Sequence, residues 1–185
     1  MKKIMNEYLI DDISKLSIYQ KKNNIEEYNE FVKKTALSNI SNKYFARPWE
    51  NHIEIVYWQG FLDVLFSRGI DNIQDVKNDL LEWLDDPCRL GFADVCDFIV
   101  QNKNQFMTLL KRKIIHEFYN KEFQYVIYLI LVYNKCSNLP KDIDSIVNKM
   151  DEFDIEGIGE DRMGEYGNEL ENILNLGEDT RYLGC

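Results

Sequence analysis

Apolar residues recur along this chain at spacings of three and four, and that period predicts a succession of amphipathic helices. Leu9, Ile13 and Leu16 mark the first. Asn24 with Glu27 three residues on has the form of a capping box. The stripe Ile25, Tyr28, Val32, Ala36 follows it, so a second helix is expected from Asn23 or Asn24. The polar stretch Ser38 to Lys43 reads as a loop. Arg47-Pro48 then restarts the chain, since proline suits a first helical turn. Trp49, Ile53, Val56, Tyr57, Gly60, Phe61, Val64 and Leu65 predict a broad apolar face over about four turns, with Gly69 at its end. His52 to Trp58 also has strand-type composition, but the longer helical period outweighs it.

Asp71 is placed to cap the next helix, with Ile73, Val76, Leu80 and Leu84 on its buried face. Asp86-Pro87 predicts another start, continued by Phe92, Val95, Cys96 and Ile99. Phe106, Leu110, Ile114 and Phe118 mark a further helix. The densest apolar stretch comes next: Phe123 to Tyr133 holds ten apolar or aromatic residues and one Gln, with no charge between Glu122 and Lys135. It is shorter than the roughly 20 residues that span a bilayer, so a folded core is its expected place, and it remains open to a strand reading as well as a helical one. Pro140 opens a short helix with Ile143, Ile146, Val147 and Met150. Short links between helices favour antiparallel neighbours. The expected fold is therefore all-α: one domain of about eight or nine helices packed as antiparallel hairpins around the Phe123 helix.

Charge changes the picture at the C-terminal end. The 185 residues carry a net charge of −10. Residues 151–185 hold eleven acids against two arginines, a net of −9, which leaves −1 for residues 1–150. Six of the nine glycines lie there too. The segment keeps a helical signal in Met163, Tyr166, Leu170, Ile173 and Leu174. A helical body over 1–150 and an acidic segment over 151–185, with a loop at 155–160 and one amphipathic helix, are expected within the same domain. So acidic a chain repels nucleic acid and anionic membranes, whose recognition needs clustered Lys and Arg. It favours a basic protein partner.

Candidate chemistry is sparse. Cys88, Cys96, Cys136 and Cys185 form no C-x-x-C pair, and the first twelve residues lack the apolar run of a secretory signal. A cytoplasmic protein with reduced thiols is expected. No metal or other cofactor is expected. Glu152, Asp154, Glu156 and Gly157 imitate the start of a calcium loop, but Met163 stands where the bidentate Glu belongs. His52 and His116 are the only histidines, neither in a known catalytic pattern. Arg47, Trp49 and His52 could form a basic-aromatic patch, although Trp49 packing at a helix start is the simpler expectation. Lys111 to Lys113 is expected on a solvated face. The strongest asymmetry is the acidic segment, where Glu156, Glu160, Asp161, Glu165, Glu169 and Glu171 would face basic residues of a partner, and Tyr166 would add an aromatic anchor.

A small, acidic, Asn- and Lys-rich helical chain, with Tyr57 to Gly69 (Y-W-Q-G-F-L-D-V-L-F-S-R-G) followed by Leu80 to Asp86 (L-L-E-W-L-D-D), resembles the immunity proteins of bacterial contact-dependent inhibition and related polymorphic toxin systems. The resemblance implies no catalysis. It implies a one-to-one complex of a monomer with a cognate toxin, often a nuclease, whose basic active-site cleft is covered. The rival expectations are an acidic nucleic-acid mimic or regulatory binding protein, and an enzyme built on His52 or His116.

Overall fold

The computed structural model describes residues 13–137 and 160–174, the side chains of 160–163 and 173 excepted. Among these residues there are nine α-helices, six short 3-10 turns and no strand. The all-α class stands: Phe123–Tyr133 is helical, and His52–Trp58 is no strand but a turn at His52, two residues without regular structure, a 3-10 turn over Ile55–Tyr57 and the start of a helix at Trp58. We number the helices α1 (Ile18–Asn23), α2 (Ile25–Ala36), α3 (Asn42–Ala46), α4 (Trp58–Ser67), α5 (Lys77–Leu81), α6 (Phe92–Gln101), α7 (Lys103–Tyr119), α8 (Phe123–Ser137) and α9 (Glu160–Ile173). None is long and apolar enough to cross a membrane. Leu9, the helix expected after Pro140, the calcium-like stretch before Glu160 and Cys185 lie outside the described residues.

The chain gathers into two compact units, residues 1–83 with 87–98, and residues 84–86 with 99–185. In the first, α4 is the core element: Phe61, Leu62, Val64 and Leu65 are fully buried. The expected cap of α2 is present, with Asn24 accepting from the Glu27 N–H at 3.3 Å. Asp63 ties α4 to its neighbours, accepting from the Tyr28 hydroxyl at 2.6 Å and from Lys21 Nζ at 2.7 Å. Burial, with Asp63 next, drives the Tyr28 pKa far up, so this hydroxyl stays a donor.

The long helix expected from Trp49 to Leu65 does not form. Pro48–Asn51 is a 3-10 turn, and His52 stops it in the left-handed region at φ 55°. The His52 N–H donates to the Trp49 carbonyl and the Ile53 N–H to the Pro48 carbonyl, the pairing of a Schellman stop. A second turn, Ile55–Tyr57, leads into α4. The reversal brings three indoles together: Trp49, Trp58 and Trp83 have ring centroids 5.3–5.8 Å apart. Trp58 donates to the Ile53 carbonyl and Trp83 to the Ala46 carbonyl, both at 2.8 Å. Burying the three rings together outweighs an unbroken helix.

Other boundaries shift for local reasons. Residues 70–76 wind as 3-10 turns after Gly69, whose φ of 79° suits glycine, so α5 starts at Lys77 and not at Asp71. Helix α6 starts at Phe92, five residues beyond Pro87. Within the stretch read as a loop, α3 already begins at Asn42 because Phe45 and Ala46 are drawn into the core. The buried faces are as expected: Ile73, Val76, Leu80 and Leu84 are fully covered.

The second unit contains the hairpin of α7 and α8. Phe106, Leu110, Ile114 and Phe118 are all fully buried. The register is antiparallel: Phe118 meets Phe123 near the turn, and Lys111 lies over the ring of Tyr133 farther along. Helix α8 buries Tyr125, Val126, Leu129, Ile130, Val132, Tyr133 and Cys136. That is a wide face, but not the full circumference, because Leu131 is 52% exposed.

Candidate functional site

Helix α9 carries most of the expected partner-binding residues. It docks through Leu170 and Leu174, both fully buried, and through Gly167, where a Cβ would overlap the Tyr119 hydroxyl and ring. The Tyr119 hydroxyl donates to Glu171 at 3.5 Å. Helical register puts Gly167, Leu170 and Leu174 on one side, and Glu165 with Glu169 on the other. Glu165 is exposed, and Tyr166, Glu169 and Glu171 are half-buried. Glu160 and Asp161 begin the helix, and Glu156 lies outside the described residues.

The helix thus divides the expected set. Glu171 turns toward Tyr119, whereas Glu165 and Glu169 lie one helical turn apart on the side away from the docking contact. Like charges at this i, i+4 spacing cost a few tenths of a kcal/mol, about 0.2–0.5. Two glycines within the helix cost about 1 kcal/mol each relative to alanine. Helix formation here depends on tertiary docking more than on intrinsic preference. Tyr119 is the docking residue that sequence reading missed, because a tyrosine at the exposed end of a helix gives no signal of what will lie on it.

A second carboxylate group lies in the first unit. Arg47 pairs with Glu50 at 2.6 Å, Asp79 at 2.7 Å and Glu82 at 2.8 Å. Asp79 is buried, and its Oδ2, like Arg47 Nε, has no hydrogen-bond partner. The bond that Arg47 donates to Glu50, with Glu82 and Asp79 behind it and burial opposing, raises the Arg47 pKa further. Arg47 is therefore a structural cation rather than part of a basic patch. Trp49 is committed to the indole cluster, with Arg89 over its ring at 4.6 Å, and His52 is exposed at the chain stop.

His116 Nδ1 lies 3.1 Å from Glu117 Oε1 and 3.0 Å from Asn120 Nδ2. Lys113 Nζ reaches the same Glu117 oxygen at 2.7 Å. Burial pushes the Glu117 carboxyl up, but Lys113, His116 and Asn120 together outweigh it and hold the pKa below its ordinary value. This is the ionic brace of the α7 end: a buried carboxylate with its charge matched. The expected solvated Lys111–Lys113 face is corrected accordingly. The Lys111 and Lys113 ammonium groups lie over the rings of Tyr133 and Tyr125, 6.0 and 5.5 Å from their centroids, and Arg112 alone of the three is exposed. Cys88, Cys96 and Cys136 are in no disulfide. Among the described residues no cluster of His, Cys, Asp and Glu is arranged to hold a metal ion. Compared with known protein families, curated proteins and solved structures, the chain has no match.

Proposed function

We propose that this chain is a non-enzymatic binding protein that neutralises a basic bacterial toxin, in the manner of an immunity protein, by laying the acidic side of α9 over the toxin's active-site cleft. The observation that carries the reading is the placement of Glu165, which is exposed, and Glu169, which is half-buried, across the helix from the docking residues Gly167, Leu170 and Leu174, so that the helix is anchored by the opposite side. A cationic surface brought against these carboxylates relieves their mutual repulsion, so association and helix stability reinforce one another. Oppositely charged surfaces also steer encounter over long range. The fit is to a nuclease-like cleft, whose Lys and Arg side chains are arranged for phosphate.

The test is co-expression with the C-terminal domain of any polymorphic-toxin-like protein encoded next to this chain's gene, followed by calorimetry on the purified pair. The wild-type chain is expected to restore growth and bind at nanomolar affinity. Reversing both charges, Glu165→Lys with Glu169→Lys, is expected to cost about 2–5 kcal/mol of binding with the helical circular dichroism unchanged. Full affinity in that variant would refute α9 as the contact, and continued killing by the toxin in the presence of the wild-type chain would refute the function.

A further inference from the structure

Helix α9 is held by few buried groups. Among its described side chains only Gly167 and Leu170 are buried, with Leu174 just beyond its end. Helix α8 buries seven residues over nearly the same length. Two glycines make α9 roughly 30-fold harder to form than the same helix with alanines. Its last turn holds no basic residue, and Glu171 sits there against the negative end of the helix dipole. An element with so little buried surface and so weak a helical preference opens well before the α7–α8 hairpin does.

The docked state turns on Tyr119. Its hydroxyl and ring fill the space where a Cβ on Gly167 would stand, and the hydroxyl donates to Glu171 at 3.5 Å. The ring is fixed in turn by an edge contact at 5.7 Å with Phe118, which is fully buried. Lys121 then stops α7 in a left-handed conformation at φ 66°, so Tyr119 stands in the last turn of α7 with 44% of its surface exposed. Glu165 and Glu169 lie across α9 from this contact. A cationic ligand meets the two together only while the helix holds them one turn apart.

We infer that α9 is a two-state latch, docked and helical or released, which Tyr119 and a cationic ligand on the Glu165 side hold jointly from its two sides. Tyr119 is a positioning residue: it acts on the ligand through the helix. The coupling is reciprocal, so the factor by which the ligand favours docking is the factor by which docking favours the ligand. Release of α9 lowers the apparent affinity in proportion to the fraction still docked. The inference rests on the proposed function for the side of α9 that meets a cation, and not for the identity of the partner. The probe is deca-lysine, added to the full-length chain alone. Native-state hydrogen exchange is read at the Tyr166, Leu170 and Leu174 amides, with Leu110 and Ile114 of α7 as the internal reference. At ten times its Kd, deca-lysine is expected to raise protection of the α9 amides at least about 3-fold, against a limit of about 10-fold for a ligand that binds the docked state alone. The reference amides are expected to stay as they were.

Tyr119→Ala is expected to lower α9 protection at least about 10-fold and to weaken deca-lysine at least about 3-fold. Tyr119→Phe keeps the ring and should stay within about 2-fold of wild type in both. Gly167→Ala presses on the same contact from α9 itself, leaves Tyr119 in place, and is expected to act in the same direction as Tyr119→Ala on both readings. Wild-type protection of α9 in Tyr119→Ala, or deca-lysine affinity that this variant leaves unchanged, would overturn the latch. The double charge reversal, Glu165→Lys with Glu169→Lys, is expected to abolish the deca-lysine response; a response that survives it places the cation elsewhere and refutes the coupling. Failure of the chain to restore growth while the latch behaves as expected would count against the proposed function alone.

Discussion

The docking of α9 on Tyr119 can be tested through its two glycines. Gly164 faces open space, with nothing within 4 Å of where a Cβ would stand. Gly164→Ala therefore gains helix propensity at no steric cost, about 1 kcal/mol. Gly167→Ala gains the same propensity, but its Cβ would meet the Tyr119 hydroxyl and two ring carbons at 3.0 Å or closer. Either the ring swings out, losing the Glu171 bond at 3.5 Å and its edge contact with Phe118 at 5.7 Å, or α9 lifts and loosens Leu170 and Leu174. Overpacking of this kind costs about 1–3 kcal/mol. The net expectation is a loss of about 1 kcal/mol, so the two variants should differ by about 2 kcal/mol.

Native-state hydrogen exchange of the α9 amides reads this directly, because local opening sets their protection. A difference of about 2 kcal/mol is roughly 30-fold in protection. The decisive control is Tyr119→Ala, which removes the obstacle. In that background Gly167→Ala should become stabilising by about 1 kcal/mol, the propensity gain alone. If Gly167→Ala stabilises as much as Gly164→Ala while Tyr119 is in place, or if Tyr119→Ala does not reverse its sign, the described docking is wrong.

Arg47→Met should leave the buried Asp79 carboxylate without its cation, a change that costs about 3–5 kcal/mol. A urea midpoint shift equivalent to less than about 1 kcal/mol would show that the cluster is not held by Arg47. The Glu117 carboxyl has a depressed pKa in the folded chain. Its stabilising contribution is accordingly full above the unfolded value near 4.5 and is lost as pH falls through the folded value. Glu117→Gln should flatten the acid limb of the stability profile measured by denaturant unfolding between pH 6 and pH 3. A profile with the same slope as wild type would refute the assignment.

The helices of this chain were legible where burial repeats at a steady period. Phe106, Leu110, Ile114 and Phe118 announce α7, and the Asn24 cap announces α2, because each signal is local. What was hidden is the work of residues that lack a characteristic sequence signature. His52 and Lys121 both take left-handed backbone conformations, at φ 55° and 66°, where glycine or asparagine would have given warning. His52 breaks the helix expected after Trp49. Lys121 ends α7 through the same pair of backbone bonds, its N–H to the Phe118 carbonyl and the Glu122 N–H to the Glu117 carbonyl. The site was partly legible for a related reason. Net charge marks the acidic segment plainly, but which carboxylates turn inward depends on Tyr119, more than forty residues away in the chain.

The clustering of Trp49, Trp58 and Trp83 makes this protein its own optical probe. All three indoles belong to residues 1–83, and there is no tryptophan after them. Intrinsic emission excited at the red edge therefore originates only in the N-terminal unit, while the tyrosines of α7 and α8 contribute to near-ultraviolet signals from the other. Melting of α9 removes no indole from its own unit and registers in far-ultraviolet dichroism, so recording both signals during one titration follows the indole cluster and the helical content side by side without any label.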